Sequence, residues 1–267
     1  MDLEPMVKDW VLIRGIVSEE FHWWHLPNLI QDRYPKDRVY GADIVGNGKH
    51  HHLTTPAQIH ENVEGLRKQV PQKGKKILVG FSLGAMLALE WAYAHPEEVE
   101  GVVMINTSLN NSPVRHRMMP TALWQISKAA LNRDLAKREE MILNLTTGLD
   151  QKRIREIAPI WAERSEIFPM SIKNFFLQLS LAHKISQREK PPAASVLILN
   201  SKNDRVVNPK CSQKIAAKWG IPLLVHPTAG HDLTLEDPHW VLDRISERYG
   251  LQKSDAVRHD GELSLNF

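Results

Sequence analysis

Ser82 sits between two glycines in GFSLG (80–84), after the apolar run KKILV and before the apolar stretch LGAMLALEWAYAH. A serine hydroxyl is a weak nucleophile at neutral pH and needs a general base. Histidine suits that task, because its unperturbed pKa is about 6.5. The base in turn needs a carboxylate to orient it. Two later positions supply these types. Asp204 lies four residues past the apolar run in VLILNSKNDRVV. His231 lies in TAGHDL, between the apolar run PLLVHP and a final helical pattern. With thirteen histidines in the chain, a late histidine by itself means little. One placed directly between the last strand and the last helix means more. Together the three residues could carry acyl transfer through a covalent seryl intermediate.

The elements that must hold them are legible as alternating patterns. Short apolar runs at 9–15, 37–48, 75–81, 99–108, 194–201 and 222–227 read as strands, the second followed by a glycine turn. Helical spacing runs over 55–70, where Pro56 suits a first helical position, and over 83–95, 208–220 and 235–250. Strands apolar on both faces and separated by helices indicate a parallel sheet covered on both sides. The alternation stops between residues 112 and 190, where four helices are expected, around 120–132, 134–147, 150–164 and 169–186. An insertion of that length is too long for a connecting loop. It reads as a helical cap over one edge of a core formed by 1–111 and 191–250, and 251–267 reads as a polar tail.

GFSLG predicts a sharp strand-to-helix turn that presents the Ser82 hydroxyl. Gly80 and Gly84 would leave clearance toward the neighbouring strand and helix. Loops at the carboxyl ends of strands are where open α/β sheets build their sites, and Asp204 and His231 both fall there.

The bulk properties exclude other classes. Apolar and charged fractions of 42% and 24% are ordinary for a soluble globular protein of 267 residues. A net charge of +3 gives no nucleic-acid footprint. No apolar run is long enough to span a bilayer, and MDLEPMVKDW does not read as a signal peptide. Cys211 is the only cysteine, so no intrachain disulfide or CxxC metal site can form, and a reduced, cytoplasmic location is the simplest expectation.

The segments LIRG, DIVGNGKH, GFSLGAMLALEWAYAHPEEVEGVVMINTS, LNSKNDRVVNP and TAGHDLTLEDP resemble the α/β-hydrolase superfamily, in its lid-bearing serine esterase branch. The resemblance spans the core from 9 to 250. It implies an α/β fold with a mostly parallel sheet of about six strands, shortened at its N-terminus. It implies Ser82 as nucleophile, His231 as base and Asp204 as orienting acid. The oxyanion hole would use the backbone N–H groups of Leu83 and of Ile16, which follows Gly15. Members usually carry His-Gly where this chain has Arg14-Gly15. Asp43, Gly46 and Gly48 match a structural D-x-x-G-x-G turn. The implied activity is cofactor-free hydrolysis of small-molecule carboxylic esters by a monomer or homodimer. Triad-sharing rivals are thioesterase, lactonase, aminopeptidase, carbon–carbon bond hydrolase and perhydrolase, and a hydrolase-fold binding protein is the rival from another class.

Several other features have plainer readings. Adjacent His50, His51 and His52 share no face and read as a surface loop. His22 and His25 lack the further ligands that zinc needs, and Trp23 or Trp24 reads as core beneath the site. In the insertion, Met118, Met119, Trp124, Ile126, Trp161, Phe168, Phe175 and Phe176 are expected to bind it to the core, with some lining an apolar acyl pocket. Asp232 is too close to His231 in sequence to orient it, and Asp237 suits a helix start.

Overall fold

The computed structural model describes residues 7–251. Six parallel strands form one sheet: β1 (Asp9–Ile13), β2 (Arg38–Gly41), β3 (Lys76–Phe81), β4 (Val99–Ile105), β5 (Ser195–Ser201) and β6 (Leu223–His226). Their spatial order is β2-β1-β3-β4-β5-β6. The first connection places β2 on one side of β1, the second crosses back to place β3 on the other, and the later strands extend outward from β3. The order reverses beside β1 and β3, so the carboxyl ends of these strands mark the switch point at which such sheets bind ligands.

The helices that alternate with the strands are α1 (Leu26–Arg33), α2 (Ile59–Arg67), α3 (Leu83–Ala94) and α9 (Lys210–Trp219), and α10 (Leu233–Glu236) and α11 (Pro238–Tyr249) follow β6. Alternate residues of the central strands serve two cores. Val11, Ile13, Leu78, Val102, Met104 and Ile198 pack with α2, α3 and α9. Trp10, Leu12, Ile77, Val79, Val103 and Leu199 pack with α1 and α11. Helix α3 is apolar nearly all round, with Leu83–Leu89, Trp91 and Ala92 buried, because it lies between the sheet and other helices.

Between β4 and β5 lie α4 (Val114–Arg117), α5 (Pro120–Ala130), α6 (Leu135–Thr146), α7 (Gln151–Ile167) and α8 (Ile172–Lys184). Asp134, Asp150 and Ser171 cap α6, α7 and α8 by accepting from backbone N–H groups three residues on. Leu143, Ile154, Ile157 and Trp161 from α6 and α7 pack on Leu235, Phe21 and Trp24 of the core. Met118, Met119 and Ile126 pack around Val206, Val207 and Cys211. Trp124 and Phe176 do not bind this segment to the core: they are 62% and 60% exposed. Trp124 is on the outward face of α5, where Lys128 covers its ring at 4.5 Å.

Two element boundaries differ from the sequence pattern. Helix α2 starts at Ile59, three residues past Pro56, and the Asn62 side chain donates to the carbonyls of Pro56 and Gln58 instead. The last helix is broken at Asp237, because the following Pro238 drives it out of the helical region. Asp237 then caps α11 through the Trp240 N–H, as a helix-start acid should. Gly220 and Gly250 close α9 and α11 in the left-handed conformation, with φ of 64° and 59°. The tail expected at 251–267 lies, apart from Leu251, outside the described residues. Among the described residues no helix is long and apolar enough to cross a membrane.

Candidate active site

Ser82 follows the last residue of β3 and precedes the first of α3, with φ 54° and ψ −116°. A non-glycine residue in that region is strained, and the surroundings must hold it there. Its N–H donates to Ile105 O at 2.9 Å, and its carbonyl accepts from Thr107 Oγ1 at 2.7 Å. The glycines clear the space. A Cβ on Gly80 would meet Ala85 Cα at 2.4 Å, on the helix side. A Cβ on Gly84 would meet the Ile13 carbonyl oxygen at 2.0 Å, on the strand side. Gly15, just past β1, comes so close that its Cβ would lie 3.0 Å from Ser82 Cβ and 3.5 Å from Oγ. That approach brings the loop carrying Ile16 beside the serine. The Leu83 N–H is the first of α3, where the helix has no carbonyl to offer it and the dipole favours negative charge.

Asp204 and His231 come from the loops after β5 and β6. His231 Nδ1 lies 2.7 Å from Asp204 Oδ2, and both side chains are buried. The other carboxylate oxygen, Oδ1, accepts from the Val206 and Val207 N–H groups at 2.8 and 2.9 Å. The carboxylate is therefore fixed before it meets the imidazole. The Phe81 ring packs against the imidazole with centroids 4.8 Å apart. Among the described residues no hydrogen bond joins Ser82 Oγ to the ring. Such links are often long in free enzymes and tighten around substrate.

Three further groups brace the site; the sequence pattern passed over Asn106 and marked Arg14 and Asp232 without joining them. Asn106, directly after β4, has φ 45° and is fully buried. Its Nδ2 donates to the His231 carbonyl at 2.6 Å, and its Oδ1 accepts from the Ser201 N–H at 2.8 Å. One amide thus ties the ends of β4 and β5 to the histidine loop. Arg14, in the position before Gly15, is buried and forks onto Asp232, with Nη1 to Oδ1 at 3.1 Å and Nη2 to Oδ2 at 2.5 Å. Burial alone would raise the Asp232 carboxyl, but the Arg14 charge and hydrogen bonds outweigh it and hold it below the usual range. The signals were there: polar NTS ending an apolar strand, and a charged residue directly before Gly15 and directly after His231.

The histidines elsewhere take ordinary places. His22 is buried in the 3-10 turn Glu20–Trp23, where its Nδ1 accepts from the Glu19 N–H at 3.1 Å and its ring meets Trp161 edge-on. Burial, with the Arg14 charge adding, pushes its pKa down to about 3, so it is neutral. Trp23 is core, fully buried against the sheet, while Trp24 joins the α6–α7 cluster. His50, His51 and His52 lie in and after a short 3-10 turn, and His51 meets Phe168 at 5.6 Å. Asp43 accepts from the Glu20 N–H and is raised to about 6 by burial. His95, Glu97 and Glu98 bring ligand atoms close together. His95 is already bonded to Glu64, and Glu98 to Arg67 and Trp91, which is an ion-pair network's arrangement. A cleft of about 250 Å³ lined by Val196, Leu224 and Arg248 opens at the amino ends of β5 and β6, the opposite end from Ser82.

The architecture recurs in solved structures. BpoC of Mycobacterium tuberculosis H37Rv, which carries a non-heme bromoperoxidase designation, superimposes with a TM-score of 0.72 at 18% identity over 92% of both chains. The 2-hydroxy-6-oxo-6-phenylhexa-2,4-dienoate hydrolase BphD of Rhodococcus sp. strain RHA1 gives 0.69 at 17% identity over 91% of both chains. A marine microorganism esterase gives 0.65 at 16% identity, over 91% of this chain and 96% of that one. At such identities the likeness carries the fold alone. No curated protein matches by sequence. The family model described as alpha/beta hydrolase family matches residues 10–244, and the chain belongs to that family.

Proposed function

We propose that this protein is a serine hydrolase of carboxylic esters of small to medium acyl chain, acting through an acyl-enzyme on Ser82. The observation that carries the reading is the joint geometry of three loops. Ser82 stands in a strained φ 54° turn at a helix N-terminus, while Asp204 and His231 are paired at 2.7 Å on the loops that follow β5 and β6.

In the proposed reaction Ser82 Oγ attacks the ester carbonyl carbon and its proton passes to His231 Nε2. Asp204 steadies the imidazolium through Nδ1–H. The carbonyl oxygen becomes an oxyanion and accepts from the Ile16 and Leu83 N–H groups. Collapse breaks the C–O bond, and His231 gives its proton to the leaving alkoxide oxygen. Water, deprotonated by His231, then attacks the acyl-enzyme carbonyl, the C–Oγ bond breaks, and His231 returns the proton to Ser82 Oγ as the acid leaves. No cofactor is called on.

We read residues 112–190 as a cap over this site. The contact supporting that reading is Arg164 on α7, whose guanidinium forks onto the buried Glu19 of the β1 loop at 2.8 and 2.9 Å. A cytoplasmic monomer or homodimer is the setting we propose. The test is labelling by a fluorophosphonate probe, with the modified residue identified by mass spectrometry, followed by turnover of a chain-length series of p-nitrophenyl esters. Rapid labelling at Ser82 with ester turnover is expected. Folded protein that takes no label overturns the reading.

A further inference from the structure

Arg14 and Asp232 each adjoin a residue of the proposed machinery. Arg14 precedes Gly15, the residue against Ser82, and Ile16, the proposed oxyanion donor. Asp232 directly follows His231. The two side chains meet across 218 residues of sequence in a two-point fork, and Arg14 Nη1 also donates to Thr234 Oγ1 at 2.9 Å. Both are almost wholly buried, with side chains 3% and 4% exposed. The guanidinium lies 4.3 Å over the Phe81 ring, whose centroid is 4.8 Å from the His231 ring. Phe81 thus touches both Arg14 and His231, its ring tilted by 53° to the imidazole. Asp232 Oδ1 also accepts from the Leu235 N–H, which holds the carboxylate toward the start of α10.

From this arrangement we propose that Arg14 and Asp232 are a positioning pair, a buried crosslink that sets the spacing between the oxyanion loop and the catalytic base. The inference rests on the acyl-transfer reading of Ser82. Asp204 fixes the direction of the imidazole through Nδ1, but it reaches the histidine from the β5 side only. The Arg14–Asp232 fork fixes the histidine loop from the β1 side, where the oxyanion donor sits. An arginine is suited to this because its planar fork engages both carboxylate oxygens at once, while lysine is a point charge.

The pair also has an electrical consequence. Asp232 lies within the field of His231, and its negative charge favours the imidazolium. The Arg14 charge offsets it. The other groups facing this region are Asp204 from the β5 loop, His22 from the 3-10 turn, already neutral, and Glu236, which accepts from the Gly230 N–H. The pair acts on two of these as well: Arg14 lowers and Asp232 raises His22, and Asp232 raises Glu236, so D232N favours the neutral His22 already present and a more readily ionised Glu236. Removing the Asp232 charge leaves an uncompensated buried cation near the base, which disfavours a second positive charge there. Removing both charges restores the balance without restoring the crosslink.

The test compares R14K, D232N and the double variant R14M/D232N with the wild type, each checked for fold by circular dichroism and melting. R14K keeps the charge and loses the fork: kcat is expected to fall about tenfold or more, with the acid limb of the kcat/KM profile unmoved. D232N is expected to lower kcat and to move the acid limb to lower pH by about half a unit or more. In R14M/D232N the limb is expected to return to its wild-type position while kcat stays low. A merely structural pair would lower melting temperature without moving the limb in D232N. Wild-type kcat in R14K and D232N, or an unmoved limb in D232N, overturns the inference. Wild-type protein that neither labels nor turns over esters overturns the Ser82 reading instead, so the two failures are distinguishable.

Discussion

Asn106 Nδ2 donates to the His231 backbone carbonyl across 2.6 Å, from the end of β4 to the loop after β6. The same amide's oxygen accepts from Ser201 on β5, so a single buried side chain holds three segments of the sheet's carboxyl edge in register. Truncating it to alanine would leave the Ser201 N–H without a partner and the His231 carbonyl held by the Leu233 N–H alone. An unpaired buried group costs about 1–3 kcal/mol. N106A is therefore expected to lower unfolding free energy by about 1–3 kcal/mol and to lower kcat as the histidine loosens. Denaturant unfolding and steady-state kinetics measure the two effects separately.

Ser82→Ala removes the proposed nucleophile and adds nothing to the turn. Fluorophosphonate labelling is expected to vanish, and ester turnover to fall by at least about 10³-fold, with melting temperature near wild type. Persisting turnover would place the chemistry elsewhere.

Asp204→Asn keeps an acceptor for the Val206 and Val207 N–H groups but loses the carboxylate that faces His231 Nδ1. The fold should survive, and kcat should drop by about 10³ to 10⁴, the scale set by loss of the oriented tautomer in other triads. Equal loss in kcat and kcat/KM is the expected pattern in the kinetics.

Alanine at Gly84 and at Gly15 should behave differently. At Gly84 the new methyl would sit 2.0 Å from the Ile13 carbonyl oxygen, a backbone atom that cannot turn aside. A stability loss of about 2–3 kcal/mol is expected from the overpacking. At Gly15 the contact is 3.0 Å to Ser82 Cβ, which a small shift relieves. G15A is expected to fold and to lose activity, because that shift moves the serine against the loop that carries Ile16. Parallel melting and kinetic measurements on the two variants would show the contrast.

His22 gives stability a pH dependence. Its folded pKa is about 3, below its unfolded value near 6.5. Its share of stability is therefore complete above about pH 6.5 and is lost as pH falls toward 3, by up to about 1.4 kcal/mol per unit. Asp43, raised to about 6, works in the opposite direction as pH falls from 6 toward 4. The difference between wild type and H22Q isolates the histidine. H22Q is expected to flatten the acid slope in urea unfolding at pH 7, 6 and 5. An unchanged slope would contradict the burial argument.

The sequence by itself determined the sheet, its order of strands and helices, and the turn at GFSLG. Those depend on local pattern: apolar runs with no polar face, helical spacing, and glycines where two backbones must approach. It also marked Asp204 and His231 by their place after strands. Only the tertiary structure decided which polar residues support them. Asn106 and Thr107 lie next to each other in sequence, yet one holds the His231 loop and the other the Ser82 turn. Arg14 and Asp232 are 218 residues apart and read singly as a departure from the usual His-Gly and as an acid too close to His231 to orient it. Their partnership depends on the loop after β6 reaching back along the carboxyl edge of the sheet to the end of β1, with three strands between β6 and β1, and pairing at such a distance leaves no period or spacing in the chain. The same holds for Trp124 and Phe176, apolar in the sequence and outward in the fold, because a helix's apolar residues do not say which of its faces a neighbour will cover.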